Sequence, residues 1–252
     1  RMALQNRVNQ IAKYYYNQYK QNEVHNLAVI VIDVSNRNIV SYVGNAPTDL
    51  NHQKDVDIIG APRSTGSILK PLLYAAMLDE GELLPNTLIA DVPTQISGYT
   101  PQNFNLTFDG AVPAHRALSR SLNIPAVLML QDFGVGKFYE ELQKFKLKDI
   151  SKSPDHYGLS LILGGAESNL WDLCRTYAGM SSTVNYFNAN DGKYRTKEFA
   201  ELNYLHDFKP DFGKESYQKT ILGAGSIWLT YNAMEEVNRP EGDEAWKFYD
   251  SS

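Results

Sequence analysis

Apolar residues over the first 20 positions fall at Leu4, Val8, Ile11 and Tyr15, spacings of four, three and four, which predicts an amphipathic helix over residues 2–20. Two β-branched runs follow, "NLAVIVIDV" and "NIVSYVG", and the "SNRN" between them marks a hairpin. After the polar loop "NAPTDLNHQKDVD" the pattern changes. From 67 to 80, Ile68, Leu69, Leu72, Leu73, Ala75, Ala76, Met77 and Leu78 leave almost no polar face, so this helix is expected to be buried on most sides. Gly81 stands just past its expected end. Residues 91–112 carry Pro93, Gly98, Pro101 and Gly110 and read as loop and short strand. Helical patterns return at 113–121, 124–133, 136–146 and 168–180, the span 182–220 is polar and irregular, and "GAGSIWLTYNAMEEV" predicts one more helix. The chain closes on "EGDEAWKFYDSS", where strand-like residues begin. Helix, hairpin, then helices points to an α+β arrangement rather than repeated βαβ units.

The buried helix opens on Ser67-Ile68-Leu69-Lys70, and a cation at the head of an apolar helix costs stability unless something uses it. Residues three apart on a helix share a face, so the Lys70 amine is expected to reach the Ser67 hydroxyl. Free backbone N–H groups at a helix start suit a developing oxyanion, and burial would lower the Lys70 pKa toward that of a working base. Gly66 lets a substrate approach the backbone, and Pro71 removes one helical N–H, which leaves the Ser67 carbonyl without its usual partner. An N-cap serine with a snorkelling lysine would look the same in sequence. A second Ser-x-x-Lys, Ser216 to Lys219, sits in the polar stretch "FGKESYQKT" and reads as solvated surface. The break in "AHRALSRSLNIPAVLML" carries Ser121-Leu122-Asn123, the one Ser-x-Asn of the chain. Alternate residues of an extended segment point to one side, so Ser121 and Asn123 can face a common cleft, although Ser and Asn also favour ordinary turns.

Composition removes several alternatives. A net charge of -5 without a Lys/Arg stripe disfavours nucleic acid as a partner. One cysteine, Cys174, leaves no internal disulfide, and five scattered histidines lack metal-ligand spacing, so neither a metal nor a cofactor is expected. Gly134-Val135-Gly136 and Gly223-Ala224-Gly225 lack the third glycine of a phosphate cradle. Asn105-Leu106-Thr107 is a glycosylation sequon by pattern only, and His115 and Arg116 read as structural. With no long apolar run and no basic-then-apolar leader, the stretch in view is expected neither to span a membrane nor to carry an export signal. Its first residues read as mid-domain helix, so a protein extending further upstream is expected.

Together these residues resemble the penicilloyl-serine transferase superfamily of penicillin-binding proteins and serine β-lactamases, whose signature is S-x-x-K, S-x-N and K-[ST]-G. Ser67 to Lys70 matches the first element and Ser121 to Asn123 the second. The words "RSTGSILKPLLYAAMLDEG", "YTPQNFNLTFDGAVPAHRALSRSLNIPAV" and "GLSLILGGAESNLWDLCRTYAGM" are similar to the transpeptidase domain of bifunctional class A penicillin-binding proteins, nearest the 1C type. The resemblance implies a transpeptidase fold, here incomplete, with a helical subdomain and the first strands of an antiparallel sheet. It divides the chain into a helix and hairpin of the sheet lobe (1–60), a mainly helical lobe with the active-site helix (61–237) and a lead-in to further strands (238–252). It also implies Ser67 as nucleophile, Lys70 as general base, Ser121 as proton shuttle and Asn123 as an anchor for lysine and substrate. The implied substrates are peptidoglycan stem peptides, with β-lactams as covalent inhibitors, an extracytoplasmic location, and an upstream glycosyltransferase domain and membrane anchor in the full protein. No K-[ST]-G occurs, since Lys219-Thr220-Ile221 fails at its third position, so weak or absent activity is expected of this stretch alone. An open sheet edge is expected to draw a second chain. Glu167 is the nearest candidate for a β-lactamase deacylating glutamate, but its flanking residues resemble the penicillin-binding helix segment instead. A non-catalytic cell-wall scaffold or a penicillin-sensing module is the alternative.

Overall fold

The structure is a computed structural model that describes residues 2–96, 98–104, 106–205 and 209–237. The lead-in at 238–252 and Asn105 of the sequon lie outside the described residues. Helix α1 (Met2–Tyr19) is followed by the hairpin β1 (Val29–Ile32) and β2 (Ile39–Val43), then β3 (Arg63–Ser64) and α2 (Lys70–Asp79). Next come β4 (Leu88–Asp91), β5 (Gly110–Pro113), α3 (Ala114–Ser119), α4 (Asn123–Phe133), α5 (Val135–Lys144) and α6 (Pro154–Tyr157). The two-residue β6 (Glu167–Ser168) precedes the long α7 (Leu170–Ala189), and β7 (Tyr194–Arg195), β8 (Glu215–Ser216) and α8 (Ala224–Glu235) follow. Among the described residues the strands form four antiparallel pairs, β1–β2, β3–β6, β4–β5 and β7–β8. The chain divides into two compact units, Arg1–Ser64 with Leu142–Ser151 and Ala166–Ala224, and Thr65–Glu141 with Lys152–Gly165 and Gly225–Ser252.

In the first unit α1 packs its Val8 and Ala12 on Val43 of β2, with Leu4, Leu27, Val29 and Val31 around them. The buried line therefore runs at spacings of four, and Ile11 and Tyr15, expected on the same face, are exposed. Alanine at 12 lets the helix sit close to the strand, which turns that stripe inward. The Gln5 amide bonds the Tyr42 backbone at both ends, accepting from its N–H at 2.9 Å and donating to its C=O at 3.0 Å. The Asn203 backbone accepts from the Ile39 N–H at 2.7 Å and donates to the Arg37 C=O at 2.9 Å. The outer edge of β2 is thus capped by other parts of the chain, whereas β1 pairs with β2 alone among the described residues.

Helix α7 runs to Ala189, nine residues past its expected end at 180. Ser181, Ser182 and Thr183 read as helix breakers because their hydroxyls compete for backbone groups. Here Ser181 and Thr183 donate to carbonyls four residues back, at 3.1 and 2.9 Å, and Ser182 donates to the buried Glu198. Arg195 Nη2 donates to the Ser182 hydroxyl at 2.8 Å and Arg37 Nη2 to the Glu198 carbonyl at 2.7 Å, so Ser182, Arg195 and Glu198 of the polar span are tied together in a largely buried network with Arg37.

The second unit is built on α2. Every residue from Lys70 to Met77 is buried, as the unbroken apolar pattern requires. The helix begins at Lys70 rather than 67, because Pro71 fits the first turn and residues 65–70 form tighter turns with Ile68 N–H to Thr65 O and Lys70 N–H to Ser67 O. The Ser67 carbonyl therefore has a donor, contrary to the expectation from Pro71. Gly81, φ +73, closes the helix where expected. Strands β4 and β5 pair in register from Leu88 with Pro113 to Asp91 with Gly110, and Val112 of β5, Ala117 of α3 and Leu122 share one apolar cluster.

Candidate active site

All four expected site residues lie in the second unit. Ser67 stands in the turn immediately before α2 and is exposed, and its hydroxyl makes no hydrogen bond among the described residues. Gly66 beside it has φ +50, with open space where a Cβ would stand, so the turn needs glycine for its backbone and leaves the approach to Ser67 clear.

Lys70 is only 2% exposed and directs its amine at the Ser121–Asn123 segment. Nζ lies 2.7 Å from the Ser121 carbonyl oxygen, 2.7 Å from Asn123 Oδ1 and 3.2 Å from Ser121 Oγ. The amine bonds this segment, and no hydrogen bond joins it to the Ser67 hydroxyl among the described residues. Burial pushes the Lys70 pKa down to about 8. At that value roughly a tenth of the amine is unprotonated at pH 7, against about one part in three thousand for an ordinary lysine. In the neutral form two hydrogens satisfy the two short bonds, and the Ser121 hydroxyl can donate its own proton to nitrogen.

The segment is held in an uncommon shape. Ser121 has φ +52, a left-handed conformation that costs a serine on the order of 1–3 kcal/mol and persists where the surroundings dictate it. Leu122 is extended, at φ -62 and ψ 135, and buries its side chain against Val112 and Ala117. With Leu122 inward, Ser121 and Asn123 both turn toward Lys70, as expected from sequence, but through the left-handed Ser121 and the start of α4 at Asn123 rather than through the alternation of an extended segment. Leu122 occupies the N-cap position of α4 and has no side chain able to cap it.

The cap comes from a distant loop. Asn103 Oδ1 accepts from the Asn123 N–H at 2.9 Å and the Ile124 N–H at 3.4 Å. Asn103 Nδ2 donates to Asp91 Oδ1 at 2.7 Å and to the Thr107 carbonyl at 2.9 Å, while Asp91 Oδ2 accepts from the Asp109 N–H. Asn123 Nδ2 donates to the Gln102 carbonyl at 2.8 Å, which fixes its amide so that Oδ1 faces Lys70. Sequence reasoning assigned no role to Asp91, Gln102 or Asn103. The only signal was two polar side chains in a turn-rich loop, 20 or more residues from the segment they hold.

Other residues of interest stand elsewhere. His115 bonds the Pro85 carbonyl through Nδ1, a structural contact. Glu167 is exposed on β6, opposite Ser64 of β3 in the first unit. The groups of three or more His, Cys, Asp or Glu that could hold a metal number none among the described residues.

The fold is that of penicillin-binding transpeptidase domains. It matches the apo structure of the TP domain from Burkholderia pseudomallei penicillin-binding protein 3 with a TM-score of 0.69 at 16% identity, over 96% of this chain and 70% of that one. Penicillin-binding protein 1A from Haemophilus influenzae matches with a TM-score of 0.63 at 20% identity, over 86% and 36%. The chain itself belongs to the penicillin binding protein transpeptidase domain family, whose model matches residues 27–186. Penicillin-binding protein 1C of Escherichia coli (strain K12) is 32% identical over 222 residues, which are 87% of this chain and 26% of that protein. Penicillin-binding protein 1F of Bacillus subtilis (strain 168) is 32% identical over 187 residues, 73% of this chain and 24% of that protein. The class A, 1C-type resemblance of the flanking words is thereby borne out. The chain spans about a quarter of the length of the curated relatives it matches.

Proposed function

We propose that this chain is the D,D-transpeptidase domain of a cell-wall enzyme that works through an acyl-serine. The observation that carries it is the buried Lys70, whose amine is held by Ser121 and Asn123 three residues on from an exposed Ser67 whose hydroxyl makes no hydrogen bond among the described residues. Neutral Lys70 takes the Ser67 proton as Oγ attacks the carbonyl carbon of the penultimate D-Ala of a stem peptide. The peptide C–N bond breaks, the terminal D-Ala leaves as an amine, and its proton arrives from Lys70 through the Ser121 hydroxyl. Asn123 holds the lysine and the substrate amide. The amine of a neighbouring stem then attacks the acyl ester, forms the cross-link and returns the proton to Ser67. A β-lactam opens on the same oxygen and remains as a slowly hydrolysed ester. The proposal includes, on the likeness to class A relatives, an extracytoplasmic location in a protein anchored to the membrane and carrying a glycosyltransferase domain. Among the described residues no helix is long and apolar enough to cross a membrane.

The test is covalent labelling of the native-length protein by a fluorescent penicillin beside Ser67→Ala. A label present in the parent and lost in Ser67→Ala is expected, and no Ser67-dependent label would sink the proposal. The proposal extends to residues 1–252 taken alone, in which the edge of β1 left unpaired among the described residues pairs with a second chain. Sedimentation equilibrium is expected to give twice the monomer mass, and monomer throughout would remove that extension.

A further inference from the structure

Helix α4 starts without a cap of its own. Its N-cap residue is the apolar, buried Leu122, and the preceding Ser121, a good capping residue, is turned to Lys70 instead. The first two N–H groups of the helix are met by Asn103 alone, 20 and 21 residues upstream. Asn103 is 2% exposed and is itself held from behind by Asp91, 1% exposed, whose other oxygen is occupied by the Asp109 N–H. A chain of hydrogen bonds therefore runs Asp91, Asn103, Asn123, Lys70, buried at Asp91, Asn103 and Lys70 and passing through the half-buried Asn123 from its backbone N–H to its side-chain oxygen. Each member has a fixed polarity: the Asp91 carboxylate only accepts, so Asn103 must present its oxygen to α4. Asn123 gives its Nδ2 to Gln102 and so must present its oxygen to Lys70.

We propose that Asn103, oriented by Asp91, is a positioning residue for the Lys70 site, fixing the Ser121–Asn123 segment so that its carbonyl and amide oxygens meet the lysine amine. A helix cap that merely stabilised α4 could be placed at residue 122, as in most helices, and would need no buried carboxylate behind it. Placing it on a separate loop leaves residue 122 free to be a leucine buried against Val112 and Ala117, next to the left-handed Ser121 that aims both of its oxygens at Lys70. The importance of this positioning for turnover rests on the transpeptidase function proposed above; the effect on Lys70 itself does not.

Two measurements on the native-length protein separate the two ideas. The first is the titration of Lys70 followed by NMR of labelled lysine side chains. In Asn103→Ala the segment loses its hold, and the Lys70 midpoint is expected to move from the parent value by about half a unit or more. A Lys70 titration unchanged in folded Asn103→Ala overturns the inference, whether or not the protein reacts with penicillin. The second is acylation by fluorescent penicillin, resolved into the binding constant and the first-order acylation step. Asn103→Ala is expected to slow the acylation step roughly tenfold to a hundredfold with binding little changed, since a displacement of about an ångström has that effect on a reacting constellation. The exchanged pair Asp91→Asn with Asn103→Asp restores an acceptor to α4 and a donor to the carboxylate, and is expected to recover most of the rate that Asn103→Asp alone loses. A variant whose folded fraction acylates at the parent rate, or an exchange that recovers nothing, contradicts the positioning role. Absence of label in the parent would instead defeat the proposed function and leave the NMR result to decide this one.

Discussion

Lys70 carries two opposite consequences of one burial. Its amine sheds a proton at about 8 in the folded protein because the charged form is desolvated, while in the unfolded chain it holds that proton to the ordinary lysine value of 10.5. Between those values the unfolded state binds more protons, so stability rises as pH goes from about 8 to 10.5. Below about 8 the penalty is fully present, on the order of 3 kcal/mol. Lys70→Met is therefore expected to be more stable than the parent at pH 7 and to lose that alkaline rise; urea unfolding at several pH values checks both. If Lys70 is the general base proposed above, the same variant loses roughly a hundredfold to ten-thousandfold in the acylation step. A lysine whose replacement weakened the fold at neutral pH would be structural instead. Sequence made this residue visible, because a cation at the head of an all-apolar helix demands a use. It could not show which oxygens the amine would choose, since those depend on the left-handed Ser121 and the inward Leu122.

At the level of elements, periodicity placed the helices well and misjudged where polar residues are held from outside. Helix α7 outruns its sequence pattern because Ser182, Glu198, Arg195 and Arg37 complete one another across parts of the chain far apart in sequence. Both arginines also lie over the Phe212 ring. Burial pushes the Arg37 pKa down to about 10, opposed by the charge of Glu198. Glu198→Ala leaves two guanidinium groups without their buried carboxylate, and a loss of about 3–5 kcal/mol is expected in denaturant unfolding. A loss under about 1 kcal/mol would show that the network contributes little. Packing is equally specific at Gly179, where an added Cβ would collide with the Phe199 ring. Gly179→Ala is expected to cost about 1–3 kcal/mol by the same measurement. In α1 the apolar spacing identified the helix but chose Ile11 and Tyr15 for its buried face, because small Ala12 gave no apolar signal in sequence and yet sets the close approach to β2.

For the whole molecule, the hairpin, the buried helix and the loop carrying Ser121 and Asn123 were legible locally, since each is encoded within about 20 residues. The pairings β3–β6 and β7–β8 and the Asp91–Asn103 support were not, because they join residues whose sequence neighbours say nothing of each other. Family membership and fold rest on comparison, while the proposed chemistry rests on the disposition of Ser67, Lys70, Ser121 and Asn123. That chemistry is tested most directly by the rate at which a fluorescent penicillin acylates the native-length protein, measured from about pH 6 to 10 beside Ser67→Ala. The account predicts a label that requires Ser67 and forms faster as pH rises, with a midpoint near the Lys70 value of about 8. Labelling that persists in Ser67→Ala, or a rate that does not change across that range, would contradict it.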